Sequence, residues 1–100
     1  MAAFNYILSY NPLSTEVNVQ RLQIFISKNR DIESWYLPFS GTFVIKSNIS
    51  LLDLNRQFMF FFGTNAYILT YMVPNYSGGS LQPEAWHWIN ALGNPALGSD

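Results

Sequence analysis

Near its start the chain alternates apolar and polar positions with the period of two that is typical of a β-strand, because successive strand side chains point to opposite faces of a sheet. The positions on one face are Phe4, Tyr6, Leu8 and Tyr10. Ile7 adds an apolar residue to the other face, so we expect a central strand that is covered on both sides. Pro12 has no backbone N–H to donate and ends the pairing of this strand.

Two segments show the spacing of amphipathic helices. Asn18 is the predicted N-cap of the first, because its side chain can accept from the free N–H groups of the first turn. In the second, Ser50 and Asp53 have the form of a capping box, and Gly63 ends the helix with a positive φ. The predicted buried positions are Val19, Leu22, Phe25 and Ile26 in the first helix and Leu51, Leu54, Phe58 and Phe61 or Phe62 in the second.

Three more stretches have the composition of strands. Residues 33–39 and 42–46 flank a short Ser-Gly turn and predict a hairpin. Pro38 indicates that the first hairpin strand lies at an edge of the sheet or has a bent end. Residues 66–73 predict a fourth strand that is apolar enough on both faces to be covered twice. The positions that share one face of the first hairpin strand are Trp35, Leu37 and Phe39.

The order of these elements predicts one α+β domain. Strand, helix, strand, strand, helix and strand give a ferredoxin-like βαββαβ fold, in which a four-stranded antiparallel sheet carries two helices on one face. We expect the first and third strands to be central. A short C-terminal helix from about Pro83 to Leu92, or a partner, would cover the open face, and Trp86 and Trp88 could supply that cover. The domain then spans residues 1–92, and residues 93–100 form a flexible tail.

The composition is unusually poor in charge. Hydrophobic residues make up 49% of the chain and charged residues 11%, against about 25% charged in a typical domain. Because monomers rarely expose large apolar patches, this composition predicts a homodimer. The net charge of −1 shows no basic footprint for tight nucleic-acid binding, although weak contacts to nucleic acid stay open. The chain has no cysteine, so its redox compartment cannot be read from the sequence. Without a secretory signal or a membrane-length apolar run, we expect a soluble cytoplasmic protein that does not bind a membrane.

Reactive side chains are few and scattered. His87 stands alone between two tryptophans, which favours a packing role over metal binding. The carboxylates show no spacing for acid–base catalysis, and the Ser-Gly-Gly-Ser stretch at 77–80 lacks the Lys of a P-loop. We therefore predict no catalytic residue and no metal ligand. The hairpin aromatics Trp35, Tyr36, Phe39 and Phe43 are better explained as core or as a dimer interface than as a base-stacking platform. The candidate dimer or partner surface consists of Trp35, Tyr36, Trp86 and Trp88.

Short motifs lie at the strand ends and turns. They are Tyr10-Asn11-Pro12-Leu13, Trp35-Tyr36, the stretch from Gly41 to Ser47, Tyr76-Ser77-Gly78 and Trp86. In these motifs the chain resembles the SinR-like family, which is akin in fold to the CRISPR-associated-two-like and VapD-like proteins. The resemblance covers about residues 4–92 and implies a ferredoxin-like homodimer.

The resemblance also implies a site at the end of the first strand. In the CRISPR-associated relatives an aspartate follows the strand-end aromatic residue, and two such aspartates across the dimer form the proposed divalent-metal site for phosphodiester cleavage. The matching position here is Asn11, which brings no charge, whereas Mg²⁺ sites usually rely on a carboxylate. We expect Asn11 to cap the loop through an Asx-type hydrogen bond instead. The candidate strand-end site is Tyr10, Asn11 and Lys46.

These observations leave three functions open. The leading hypothesis is a dimeric, non-enzymatic interaction domain or nucleic-acid-associated scaffold that needs no cofactor. The alternative is a nuclease for RNA or DNA that depends on Mg²⁺ or Mn²⁺, or a toxin–antitoxin component. A third hypothesis is a small-ligand sensor that uses the open face of the sheet.

Overall fold

The computed structural model describes residues 3–73 and 78–91. Its elements are β1 (Phe4–Tyr10), α1 (Val19–Ser27), β2 (Ile32–Phe39), β3 (Thr42–Ser47), α2 (Leu51–Phe62), β4 (Tyr67–Tyr71) and α3 (Pro83–Ala91). The predicted tail at 93–100, the predicted helix end at Leu92 and part of the predicted loop before α3, residues 75–77, lie outside the described residues.

The four strands form one antiparallel sheet in the order β2-β3-β1-β4. This arrangement confirms the ferredoxin-like βαββαβ fold with an added C-terminal helix, and it confirms that β1 and β3 are the central strands. Strand β1 pairs with β3 on one side and with β4 on the other; Tyr6, for example, lies opposite Ile45 on β3 and Tyr71 on β4. β1 is therefore the strand on which the rest of the sheet is aligned.

Helices α1 and α2 cover one face of the sheet, which we call the two-helix face. The residues fully buried there are Tyr6, Leu8, Leu22, Ile26, Phe43, Ile45, Leu54 and Phe58, with Phe62 almost fully buried. The sequence left Phe61 and Phe62 as alternatives, and Phe61 is only partly buried. The prediction for Val19 is wrong, since its side chain is 41% exposed. Val19 is the first residue of α1 and precedes the turns that pack on the sheet.

Side-chain caps hold the N-terminal ends of α1 and α2 at the residues that the sequence predicted. Asn18 Oδ1 accepts from the Arg21 N–H at 3.0 Å, and Ser50 Oγ accepts from the Asp53 N–H at 3.3 Å. The Asp53 carboxylate in turn accepts from the Ser50 hydroxyl at 3.3 Å. Gly63 ends α2 with φ +61°, a conformation that favours glycine.

The β2 strand lies at an edge of the sheet, as Pro38 indicated, but its register changes near this proline. Tyr36 lies opposite Val44 and Phe39 lies opposite Thr42, so three steps along β2 match two steps along β3. The additional residue reverses the alternation of faces. The prediction that Phe39 shares the face of Trp35 is therefore wrong, and Phe39 lies on the face of Tyr36.

The β4 strand forms the other edge of the sheet, and it is shorter than predicted. The pairing continues one residue past Tyr71, because the Met72 N–H donates to the Asn5 carbonyl at 2.8 Å. The prediction that both faces of β4 are covered is wrong: the Ile68 side chain is 66% exposed and that of Tyr71 is 43% exposed. The apolar alternation of this strand gave no sign that, among the described strands, it pairs with β1 alone.

Candidate functional site

The loop after β1 adopts the conformation expected for Asn11. The Leu13 N–H donates to Asn11 Oδ1 at 2.9 Å, and the Ser14 N–H donates to the Asn11 carbonyl at 3.1 Å. This confirms the predicted Asx-type hydrogen bond. The amide oxygen that would have to ligate a metal ion already accepts a hydrogen bond from the chain itself.

Tyr10 faces the core and not the loop. Its ring packs against Phe43 and Phe62, with centroids 6.3 Å and 5.9 Å away, and burial raises the pKa of its hydroxyl above the ordinary value for tyrosine. Its backbone N–H donates to the Gly41 carbonyl at 2.9 Å, which joins the end of β1 to the hairpin turn. Tyr10 thus serves packing at this end of the sheet.

Lys46 lies at the opposite end of the sheet from Tyr10 and Asn11. It pairs with Asn5, five residues before Tyr10 on β1, and at about 3.4 Å per residue the separation along the strand is roughly 17 Å. The chain therefore does not bring the three residues of the predicted strand-end site together. Antiparallel pairing causes this, because the last residues of β3 lie beside the first residues of β1.

The residues around Asn11 do not fit the divalent metal that the family resemblance implies. A shallow depression there is lined, among the described residues, by Ser9, Tyr10, Asn11, Ala66, Tyr67 and Ile68. None of these carries a carboxylate, the ligand on which Mg²⁺ sites rely. Nowhere in residues 3–73 and 78–91 do three His, Asp or Glu side chains come together in a group that could hold a metal ion.

One carboxylate near the sheet has a structural role. Asp31 lies in the turn between α1 and β2, where its Oδ2 accepts from Gln57 Nε2 at 3.0 Å and its carbonyl accepts from the Ser47 hydroxyl at 2.6 Å. Its own N–H donates to Asn29 Oδ1 at 2.9 Å. This network ties the turn to α2 and β3.

The four aromatic residues proposed as a partner surface lie on two faces of the sheet. Trp35 faces α1 and α2 and packs against Phe43, with centroids 5.6 Å apart. Tyr36 lies on the other face, where its ring stacks on Trp88 of α3 at 5.4 Å. Trp86 also packs on that face, so three of the four residues share it and Trp35 does not.

Helix α3 packs on the open face of the sheet, which we call the one-helix face. Val44, Met72 and Ile89 form a small buried cluster between helix and sheet, as expected if the C-terminal helix covers this face. His87 is exposed on the outer side of α3, so the packing role predicted for it is wrong.

A cleft of about 340 Å³ remains between α3 and the one-helix face. Its apolar walls are Ile7, Phe39, Val44, Met72, Trp86 and Ile89. Thr42 and Ser80 also line it, and the described lining contains no charged residue. We call this space the α3 cleft. The sequence analysis named the open face of the sheet as the surface of a small-ligand sensor, its third hypothesis, but it did not predict a cleft there. The local signal was Pro38, where the register change brings Phe39 to this face.

Two apolar surfaces point outward from the described structure. One is the outer side of α2, where the side chains of Leu52, Met59 and Phe60 are 63%, 55% and 90% exposed; we call this the α2 outer stripe. The other is the edge strand β4, with the exposed side chain of Ile68.

Comparisons with known proteins found no match, so a proposed function rests on the fold and on these surfaces. No protein-family model, curated protein or solved structure matches the chain. In the described part of the chain, no helix has the length and apolar character needed to cross a membrane.

Proposed function

We propose that the protein is a cytoplasmic homodimer that acts as a non-enzymatic interaction domain related to the SinR-like proteins. The observation that carries this proposal is the outer edge of β4. No strand within the described ranges pairs with this edge, and Tyr67–Tyr71 contains no charged residue. Proteins usually protect an edge strand with charges, prolines or a covering element, because its unpaired backbone groups attract another strand. The β4 strand of a second copy would provide that cover.

The backbone of β4 is oriented for such pairing. Since the Met72 N–H bonds to β1, alternation directs the backbone groups of Thr70 and Ile68 toward β1 as well. The N–H and carbonyl of Leu69 then point outward. A two-fold axis at Leu69 would pair this residue with its own copy and extend the sheet to eight strands.

The same symmetry gives compatible side-chain neighbours. In an antiparallel pair centred on Leu69, Ile68 lies opposite the partner's Thr70, and Tyr67 lies opposite the partner's Tyr71. No like charges meet across the axis. Burial of the exposed Ile68 side chain would add a hydrophobic contribution on each side of the dimer.

The test is the molar mass of the full chain in solution, measured by sedimentation velocity at micromolar concentrations. We expect the mass of a dimer for the wild type. The double variant Ile68→Lys, Thr70→Lys should be a monomer, because it places two pairs of like charges opposite each other across the axis. Both positions are exposed, so the variant should keep the fold, which its far-UV circular dichroism will check.

A charge-swapped variant supplies the matched control. Ile68→Lys combined with Thr70→Glu introduces two charges per chain but places opposite charges across the proposed axis, so dimers should return. Recovery would support the proposed register. A wild-type monomer at tens of micromolar, or two variants with equal masses, would reject the β4 interface.

The non-enzymatic part of the proposal has its own test. Incubation of the wild type with RNA and with DNA, in Mg²⁺ or Mn²⁺, should give no cleavage above the level of a mock purification. Cleavage that co-purifies with the chain and changes in the Asn11→Ala variant would instead support the nuclease alternative.

A further inference from the structure

We infer that the α3 cleft binds one neutral, largely apolar small molecule that contains an aromatic ring. This goes beyond the proposed dimer, because the α3 cleft lies on a face of the sheet and not at its β4 edge. Its volume of about 340 Å³ falls in the range of about 300–1,000 Å³ found for small-molecule sites. The sheet forms its floor and α3 forms one wall.

The lining indicates the chemistry of the ligand. Phe39 and Trp86 offer aromatic surfaces, while Val44 and Met72 offer aliphatic ones. A charged ligand would lose its hydration without meeting a charged partner among the described lining residues, which is costly. The lining therefore selects a neutral molecule whose aromatic ring can pack against Phe39 or Trp86.

One polar anchor is available at the floor of the α3 cleft. The Thr42 hydroxyl lies 3.3 Å from the Ser9 hydroxyl, and either group could be the donor. A hydroxyl has one donor and two acceptor positions, so Thr42 keeps capacity for a second hydrogen bond. A ligand with a single hydroxyl or carbonyl group beside its ring would use it.

The walls are held in place without a ligand. Ile89 and Met72 are buried between α3 and the sheet, and the stack of Trp88 on Tyr36 fixes the helix at the β2 side. A site formed in advance loses less free energy on binding, because fewer groups must be ordered.

A glycine borders the mouth of the α3 cleft. Gly79 has φ +155°, and a Cβ built on it would lie 3.8 Å from Trp86 Cζ2. A larger side chain here would therefore extend toward the indole ring and narrow the opening. Ser80, the next residue, is exposed and also borders the α3 cleft, which makes it a suitable position from which to block the site.

The test uses N-phenyl-1-naphthylamine, a neutral aromatic probe that fluoresces in apolar surroundings. Titration into the full-length wild type should give a saturable signal with one probe per chain. Ser80→Trp places an indole over the mouth and should weaken binding at least tenfold. Phe39→Ala removes an exposed aromatic side chain from the wall of the α3 cleft and should also weaken probe binding.

Two controls separate this site from other apolar surfaces. Thr64→Trp adds the same indole at an exposed position outside the α3 cleft, and Phe60→Ser removes the most exposed residue of the α2 outer stripe; both should bind the probe like the wild type. The Ile68→Lys, Thr70→Lys variant should bind it as well, whether or not the chain dimerises. Absence of saturable binding, or equal affinity in Ser80→Trp and Thr64→Trp, would overturn the inference.

Discussion

The two faces of the sheet are built very differently. On the two-helix face, eleven described residues from β1, α1, β2, β3 and α2 form one continuous buried cluster. On the one-helix face the described buried hydrophobic cluster has three residues, Val44, Met72 and Ile89, and a cleft remains beside them. Both faces belong to the same central strands, so the difference arises from what covers them. The two-helix face holds the larger of the two buried clusters, and the one-helix face keeps an open cleft.

The comparison predicts that the same truncation lowers the free energy of unfolding by different amounts on the two faces, and this is the largest expected effect. Ile26 of α1 is fully buried and Ile89 of α3 is 4% exposed, but Ile89 borders the α3 cleft. Truncation of a buried isoleucine to alanine costs about 2–5 kcal/mol, and more where the surroundings are complete. We expect about 4 kcal/mol for Ile26→Ala and about 2 kcal/mol for Ile89→Ala, measured by urea unfolding. Equal costs would mean that the faces are packed equally well.

Two tryptophans sharpen the comparison at a smaller scale. Trp35 packs against Phe43 on the two-helix face, and Trp88 stacks on Tyr36 on the other face. Both side chains are partly buried, so exposure alone does not separate them. We expect Trp35→Ala to lower the free energy of unfolding by about 3 kcal/mol, because it opens the main core. Trp88→Ala should lower it by about 1–2 kcal/mol, because it mainly loses one aromatic pair.

Probe binding adds a second readout for this pair. Trp88→Ala loosens the attachment of α3 and should reduce N-phenyl-1-naphthylamine binding, whereas Trp35→Ala should leave binding unchanged in the folded fraction. The reverse pattern would show that the α3 cleft does not depend on the Tyr36–Trp88 stack.

Two glycines at positive φ extend the comparison to the turns. Gly41 closes the β2–β3 hairpin with φ +89°, and a Cβ there would lie 3.0 Å from both Pro12 Cδ and the Tyr10 carbonyl oxygen. Gly63 ends α2 with φ +61° and has nothing within 4 Å of the same point. In either alanine variant the backbone strain costs about 1–3 kcal/mol. Only Gly41→Ala adds a steric clash, with Pro12 and the Tyr10 carbonyl oxygen.

We therefore expect Gly41→Ala to lower the free energy of unfolding by about 1 kcal/mol more than Gly63→Ala does. Urea unfolding of both variants measures this difference. A cost for Gly63→Ala that equals or exceeds that of Gly41→Ala would show that Pro12 can move away from the hairpin turn.

The sequence predicted the parts of the fold that depend on nearby residues. The caps at Asn18 and Ser50 and the Asx turn at Asn11 each need contacts within three residues, so their signals are complete in the local sequence. The central position of β1 was also predictable, because its two apolar faces needed cover on both sides.

The features that sequence analysis missed depend on partners distant in the chain. The exposure of Ile68 depends on which part of the one-helix face α3 covers, and the face of Phe39 is decided by a register change against β3. The sequence analysis grouped Lys46 with Tyr10 and Asn11, but antiparallel pairing with β1 places Lys46 beside Asn5, at the other end of that strand. The α3 cleft combines these effects, since it needs the register change and the placement of α3 together.

The smallest expected effect is a loss of stability at alkaline pH that originates on the two-helix face. Burial raises the pKa of Tyr6 well above the ordinary value of 10.0, with a further contribution from nearby Tyr71, and burial also raises the pKa values of Tyr10 and Tyr67. Above pH 10 the unfolded chain loses these protons while the folded chain keeps them. The unfolded state then binds fewer protons, so stability falls as the pH rises further.

The Tyr6→Phe variant isolates one of these groups. At pH 7 it loses the hydrogen bond from the Tyr6 hydroxyl to the Ile49 carbonyl, 2.8 Å long, at a cost of about 1 kcal/mol. Above pH 10 its stability should fall less steeply than that of the wild type, because one titrating proton has been removed from the difference between the two states. Urea unfolding from pH 7 to pH 11.5 measures both slopes. Parallel curves would show that Tyr6 ionises as readily in the folded protein as in the unfolded chain, and that the two-helix face admits water at this residue.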